Sequence, residues 1–241
     1  MKKNVLMLTS LALCWSVSVG AAAHDSHRLG IQAAGNQAVT APFDIVHAKI
    51  STEGNVATFH LAVTGNAGAS KPAATGALAG SRVFSYVWPT TLDPSVVGFE
   101  AKSGILALAV TSHPDFDDTP LFPAPLGAWH SHWVVLQNDD SCGKGALKVV
   151  DIPAGSKPKL PKTWPGLPIL IDSPGWAPVF KDDSLEVRVP FDDIGVLSTA
   201  RFDGVTAGLR VNASVHAPLL CVADVFKIAS GDLSLPGKVN Q

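Results

Sequence analysis

Val205-Thr206-Ala207-Gly208-Leu209-Arg210-Val211-Asn212-Ala213-Ser214-Val215-His216 alternates apolar and polar or small side chains along its whole length. Successive side chains of a β-strand point to opposite faces, so this period of two puts Val205, Leu209, Val211 and Val215 on one face and leaves the other wet. Pro218 then marks a turn, and Leu220 to Ile228 reads as the returning partner.

Moving outward, the same signal recurs in Phe43 to Ser51, Val56 to Thr64, Arg82 to Trp88, Ile105 to Ser112, Ala128 to Gln137, Ala146 to Ile152 and Leu185 to Val189. Long stretches with the helical period are nearly absent, and 18 prolines and 21 glycines interrupt the chain. The expected fold is therefore all-β: an antiparallel β-sandwich, immunoglobulin-like in the loose sense, with long Pro-rich loops. A β-barrel is the alternative arrangement of the same strands. Residues 65–80, rich in Gly, Ala, Ser and Pro, read as a surface excursion. Residues 153–178, with seven prolines from Pro153 to Pro178, read as a stiff extended crossing between sheets, into which Trp164 and Trp176 pack.

The N-terminus has the three parts of a cleavable secretory signal in the required order. Lys2 and Lys3 are followed by an apolar run too short to span a bilayer, then by Ala21-Ala22-Ala23. The expected organisation is a signal peptide over 1–23 and a single domain over 24–241, addressed to the periplasm or the exterior and without a membrane span. A lipoprotein reading through Cys14 is disfavoured by the bulky Leu13 before it. Loss of Lys2 and Lys3 reduces 18 basic side chains to 16 against 20 acidic ones, a formal charge of −4. Such a chain offers no basic field to a phosphate backbone, which argues against nucleic acid as a partner. Cys14 leaves with the signal, so Cys142 and Cys221 remain as a pair, and in an oxidising compartment they are expected to form a disulfide.

Eight histidines are the most distinctive chemical feature. In Trp129-His130-Ser131-His132-Trp133, residues two apart share a strand face, so His130 and His132 present adjacent imidazoles suited to a divalent transition metal. If Ile105 to Ser112 pairs with Ala128 to Gln137 as a hairpin, His113 leaves the first strand near His130. The connection carries Asp115, Asp117 and Asp118, of which Asp117 is the expected carboxylate ligand; a calcium loop is disfavoured because the EF-hand glycine and glutamate are missing. His24 and His27 at the mature N-terminus could add an α-amine and two imidazoles to a copper site. A turn centred on Glu53-Gly54 would place His47 opposite His60.

No Gly-x-Ser-x-Gly elbow, Walker loop, dinucleotide fingerprint or His-Glu-x-x-His motif is present. The favoured expectation is an exported protein that carries, sequesters or senses copper or zinc, with the metal ion and a periplasmic or membrane-bound protein as partners. A non-catalytic sugar- or small-ligand-binding module, with Trp88, Trp129, Trp133, Trp164, Trp176 and Tyr86 as an aromatic platform, is the runner-up. A secreted metalloenzyme is the third reading, requiring in addition an open coordination position.

Overall fold

The computed structural model describes residues 29–212 and 219–241. The expected signal peptide, His24, His27 and the end of the strand expected to reach His216 lie outside the described residues. Among those described, no helix is long and apolar enough to cross a membrane.

The chain forms β1 (Ile31–Gln32), β2 (Ile45–Glu53), β3 (Val56–Val63), β4 (Arg82–Pro89), β5 (Ile105–Ser112), β6 (His130–Asn138) and β7 (Leu147–Val149). It continues through β8 (Ile171–Asp172), β9 (Val179–Lys181), β10 (Ser184–Pro190), β11 (Arg201–Phe202), β12 (Val205–Val211), β13 (Leu220–Ile228) and β14 (Gly237–Lys238). Among the described residues the fold is all-β and every strand pairing is antiparallel.

The sandwich expectation requires correction. Strands β5, β4, β12, β13, β7 and β6 pair in that order, and β6 pairs back onto β5, so six strands close into a barrel. Closure removes two sheet edges that an open sandwich would leave exposed. A second sheet, β1-β2-β3-β10-β9, packs on the outside of this barrel, and β8 adds to the flank of β6.

Both faces of the barrel strands that meet the second sheet are therefore buried, which explains their near-continuous apolar sequences. From β4, β5 and β6 the large side chains Tyr86, Trp88, Leu108 and Trp133 point outward and meet Phe59 and Leu61 of β3. Phe59 contacts Trp88 and Trp133 edge-on, with ring centroids 5.9 and 5.8 Å apart. Burying an aromatic ring of this size contributes roughly 4–6 kcal/mol of hydrophobic stabilisation. The alternate residues of the same strands, among them Val83, Val87, Ala109 and Val134, are small and fill the barrel lumen with Ala207 and Leu209 of β12. Filling is incomplete: the lumen holds a partly open cavity of about 100 Å³. A cavity of that size lowers stability by roughly 2 kcal/mol relative to a packed lumen.

The β2–β3 turn also differs from expectation. Glu53 pairs with Val56, so Gly54-Asn55 are the two turn residues, with Gly54 at φ +57°. This shifts the register by two: Lys49 faces His60, and His47 faces Ala62. The two rings are still diagonal neighbours, 5.3 Å apart.

Cys142 and Cys221 form a disulfide across 79 residues, joining the short helical turn before β7 to β13 at the barrel wall. In the chain-entropy description a bridge of that span stabilises by about 4 kcal/mol. The double variant Cys142→Ala/Cys221→Ala should therefore unfold at markedly lower urea concentration than the oxidised native protein. Equal midpoints would show that the bridge carries none of the barrel's stability.

Candidate metal centre

The β5–β6 pairing builds the site. Thr111 faces His130 and Ala109 faces His132 across the ladder, and His113 follows immediately on β5. Contrary to a wet strand face, His130 and His132 point to the lumen side, in line with Val134, while Trp129 and Trp133 turn to the second sheet.

The loop between the strands is pinned at its neck, where the Ser112 hydroxyl and the Gly127 amide close on Gly127 and His113 carbonyls. Inside it, the Asp117 carboxylate accepts from the Thr119 amide and hydroxyl, both at 2.9 Å. That turn directs the next side chain, Asp118, inward. The aspartate that joins the histidines is thus Asp118 and not Asp117, which stays exposed as a turn-former. Asp115 is held elsewhere: its carboxylate accepts from the Thr75 and Gly76 amides and the Ser81 hydroxyl, fastening the 65–80 excursion to this loop. The three aspartates do not converge: Asp115 and Asp117 are each committed to backbone and hydroxyl donors of their own.

His113, Asp118, His130 and His132 offer four ligand atoms that all lie within 4.8 Å of one another. His113 Nε2 is 3.1 Å from His130 Nε2, Asp118 Oδ1 is 3.0 Å from His130 Nε2, and Asp118 Oδ2 is 3.3 Å from the Nε2 atoms of both His113 and His132. The side chains of His113, Asp118 and His132 are at most 4% exposed, and that of His130 is 13% exposed.

The opposite ring nitrogens fix the tautomers. Nδ1 of His113 lies 3.0 Å from the Phe116 carbonyl, Nδ1 of His130 lies 2.9 Å from the Ala128 carbonyl, and Nδ1 of His132 lies 3.2 Å from the Asp172 carbonyl. A carbonyl can only accept, so each Nδ1 carries the proton and donates. The Ser173 hydroxyl also accepts from His132 Nδ1 and donates its own proton to the Asp118 carbonyl, at 2.6 Å. Phe116 stacks flat on His113, with centroids 3.9 Å apart and planes inclined by 4°. Hydrogen bonds of this kind to the remote nitrogen are how proteins orient metal-binding imidazoles.

With all three protons on Nδ1, the three Nε2 atoms and the Asp118 carboxylate turn only lone pairs towards one another. His132 Nε2 has no hydrogen-bond partner although it is wholly buried. Such a concentration of acceptors requires a cation, either a proton or a metal ion. Electrostatics agree with this. Burial works against charge on Asp118, yet the imidazoles around it hold its carboxyl well below the ordinary range. Burial likewise opposes charge on His130, but the hydrogen bond and charge of Asp118 prevail and raise its pKa. For His132 burial dominates, and its pKa falls to about 4.

Gly175 secures the approach from the 153–178 crossing. It sits at φ +77°, and a Cβ there would lie 2.4 Å from Phe122 of the site loop. The crossing supplies β8, which pairs Asp172 with Trp133 and so sets Asp172 and Ser173 beside His132. Neither residue stands out in the sequence as a site residue. For Asp118 a signal did exist, since Asp117-Asp118-Thr119 has the spacing of an Asx turn, which commits the first aspartate to the backbone.

His47 and His60 take no part in the group. His47 Nε2 donates to the Leu29 carbonyl at 2.6 Å, and His60 Nδ1 lies 3.1 Å from Glu186. Of the expected aromatic platform, Trp88, Trp133 and Tyr86 are fully buried and present no ring face to solvent, while Trp129, Trp164 and Trp176 are half-buried, with Trp129 and Trp164 donating to the Gly68 and Leu167 carbonyls. Comparison with known proteins adds no kinship, since no family model, curated protein or solved structure matches the chain.

His132 makes the metal-free protein acid-sensitive. Its folded pKa lies near 4, below the ordinary 6.5, so between these values the unfolded chain binds the extra proton and the folded chain does not. Stability must then fall as pH drops from 6.5 to 4, by about 3 kcal/mol for this group. Urea midpoints of native and His132→Gln protein at pH 7 and 4.5 check this: the native protein should lose more stability than the variant, and equal losses would contradict it.

Proposed function

We propose that this is an exported protein that holds one divalent transition-metal ion, zinc or copper, in the group His113, Asp118, His130 and His132, for carriage, sequestration or sensing. The observation that carries this reading is the convergence of four buried lone-pair donors whose other hydrogen bonds are already committed.

The spacings favour an ion with short bonds to nitrogen and oxygen. Zinc bound tetrahedrally at about 2.0–2.1 Å keeps its ligand atoms roughly 3.3 Å apart, and the closest pairs here lie 3.0–3.3 Å apart. Three neutral imidazoles and one carboxylate contribute a single negative charge, suited to a dication. A soft monovalent copper ion would look for sulfur, but both cysteines outside the expected signal are joined in the disulfide, and both methionines, Met1 and Met7, fall within it. Zinc is favoured on these grounds, with Cu²⁺ as the alternative. The expected signal peptide and the disulfide together support an address in the periplasm or outside the cell. A partner that delivers or receives the ion would be another exported or membrane-bound protein.

Titration of metal-free protein with Zn²⁺ and Cu²⁺ tests the reading. One equivalent should bind tightly, with uptake abolished in His130→Ala/His132→Ala and in Asp118→Asn but retained in Asp117→Asn. No uptake at micromolar metal, or equal loss in the two aspartate variants, would sink it. Ser173→Ala removes an orienting contact only and should weaken affinity about 10- to 100-fold.

A further inference from the structure

We propose that the barrel lumen is a binding chamber for a small non-polar molecule no larger than about benzene, seated against the inner face of the metal centre. Its position beside an ion rests on the metal reading above; the chamber itself does not.

The cavity of about 100 Å³ is walled by aliphatic side chains such as Val83, Val87, Val134 and Leu209, and His113, Asp118 and His132 close one end. Every hydrogen-bond donor on that wall is committed. Ser85 donates to the Ala207 carbonyl at 3.0 Å, and the Thr111 hydroxyl lies 3.4 Å from His130 Nε2, turned to the site. The Nδ1 protons of His113 and His132 go to carbonyls behind the rings. A guest that needs a donor from the protein finds none, and the acceptors, His132 Nε2 and the Asp118 carboxylate, lie together at the end where the ion would sit; along the rest of the aliphatic wall a polar guest surrenders its contacts with water, whereas a non-polar guest surrenders none. Apolar cavities of comparable size stay dry and take up benzene or xenon. Sites for drug-sized molecules begin near 300 Å³, so the guest must be small.

The chamber meets the site where a ligand could matter. Bare His132 Nε2 is both unpartnered and part of the chamber wall. A guest in the chamber would lie against this atom and so touch the shell of an ion bound there. On the side of His130 the group borders a hollow of about 10 Å³ under the 116–127 loop.

Xenon, followed by ¹²⁹Xe NMR with benzene as competitor, is the probe. The metal-free native protein should show one saturable xenon site, displaced by benzene. Ala207→Leu, which fills the lumen from β12, should weaken xenon binding at least tenfold while its circular dichroism and metal stoichiometry match the native protein. Ala109→Val, filling from the opposite wall, serves if Ala207→Leu does not fold. In Co²⁺-loaded protein the bound-xenon signal should be paramagnetically shifted. Absence of a saturable xenon site, or undiminished binding in a folded lumen-filling variant, overturns the chamber. Saturable xenon with an unshifted signal in stoichiometrically loaded protein overturns its contact with the centre. Failure to bind cobalt, zinc or copper strikes the metal reading alone, because xenon uptake is scored without metal.

Discussion

The pairing of β5 with β6 is the constraint on which both fold and site depend. It is the last ladder of the ring, the one that turns a curved sheet into a closed barrel. It also sets Thr111 opposite His130 and Ala109 opposite His132, so that His113, one residue past the end of β5, is brought to His130. A slip of one residue in this register would exchange the two faces of β6. His130 and His132 would then enter the aromatic layer against β3, and Trp133 would enter the lumen. Burial of Trp133 on one side and the small lumen residues on the other make that exchange prohibitive, so the packing that stabilises the barrel also fixes where the imidazoles point.

Around that ladder, polar groups are arranged to leave one unmet demand. Nearly every buried donor and acceptor near the site is satisfied: the ring Nδ1 protons by backbone carbonyls, the Ser173 hydroxyl by the Asp118 carbonyl, the Asp117 carboxylate by Thr119. What remains is a knot of lone pairs with an ionised carboxylate in its midst. Desolvating such a group is expensive unless a cation joins it. As pH falls, a proton taken up between His130 Nε2 and Asp118 relieves part of the repulsion, in keeping with the raised pKa of His130 and the lowered pKa of Asp118. A divalent ion would relieve all of it, and acid would compete with that ion for the same nitrogens.

The strands were legible in the sequence because their period of two is strong; Ile105–Ser112 and Leu220–Ile228 match their expected bounds in full. Closure was not, since it also depends on β12 meeting β4 and β13 meeting β7, pairings between distant segments that a local pattern does not encode. Nor was the orientation of β6, whose two faces are both buried and so lack the wet side that usually reveals direction. The convergence of His113, His130 and His132 could be anticipated from the hairpin, whereas choosing between Asp117 and Asp118 depended on which of two adjacent identical residues made the turn. Asp172 and Ser173 lay hidden in a proline-rich crossing, which reads as connection until β8 is seen pairing with β6.

The central claim is that three imidazoles present bare Nε2 atoms to one carboxylate and await a cation. Imidazole ¹⁵N NMR on metal-free protein at pH 8, repeated with one equivalent of zinc, tests it most directly. The account predicts that His113, His130 and His132 are all protonated on Nδ1, and that all three Nε2 resonances move together as the single equivalent is added. Protons on Nε2, or Nε2 signals unchanged by zinc, would contradict it.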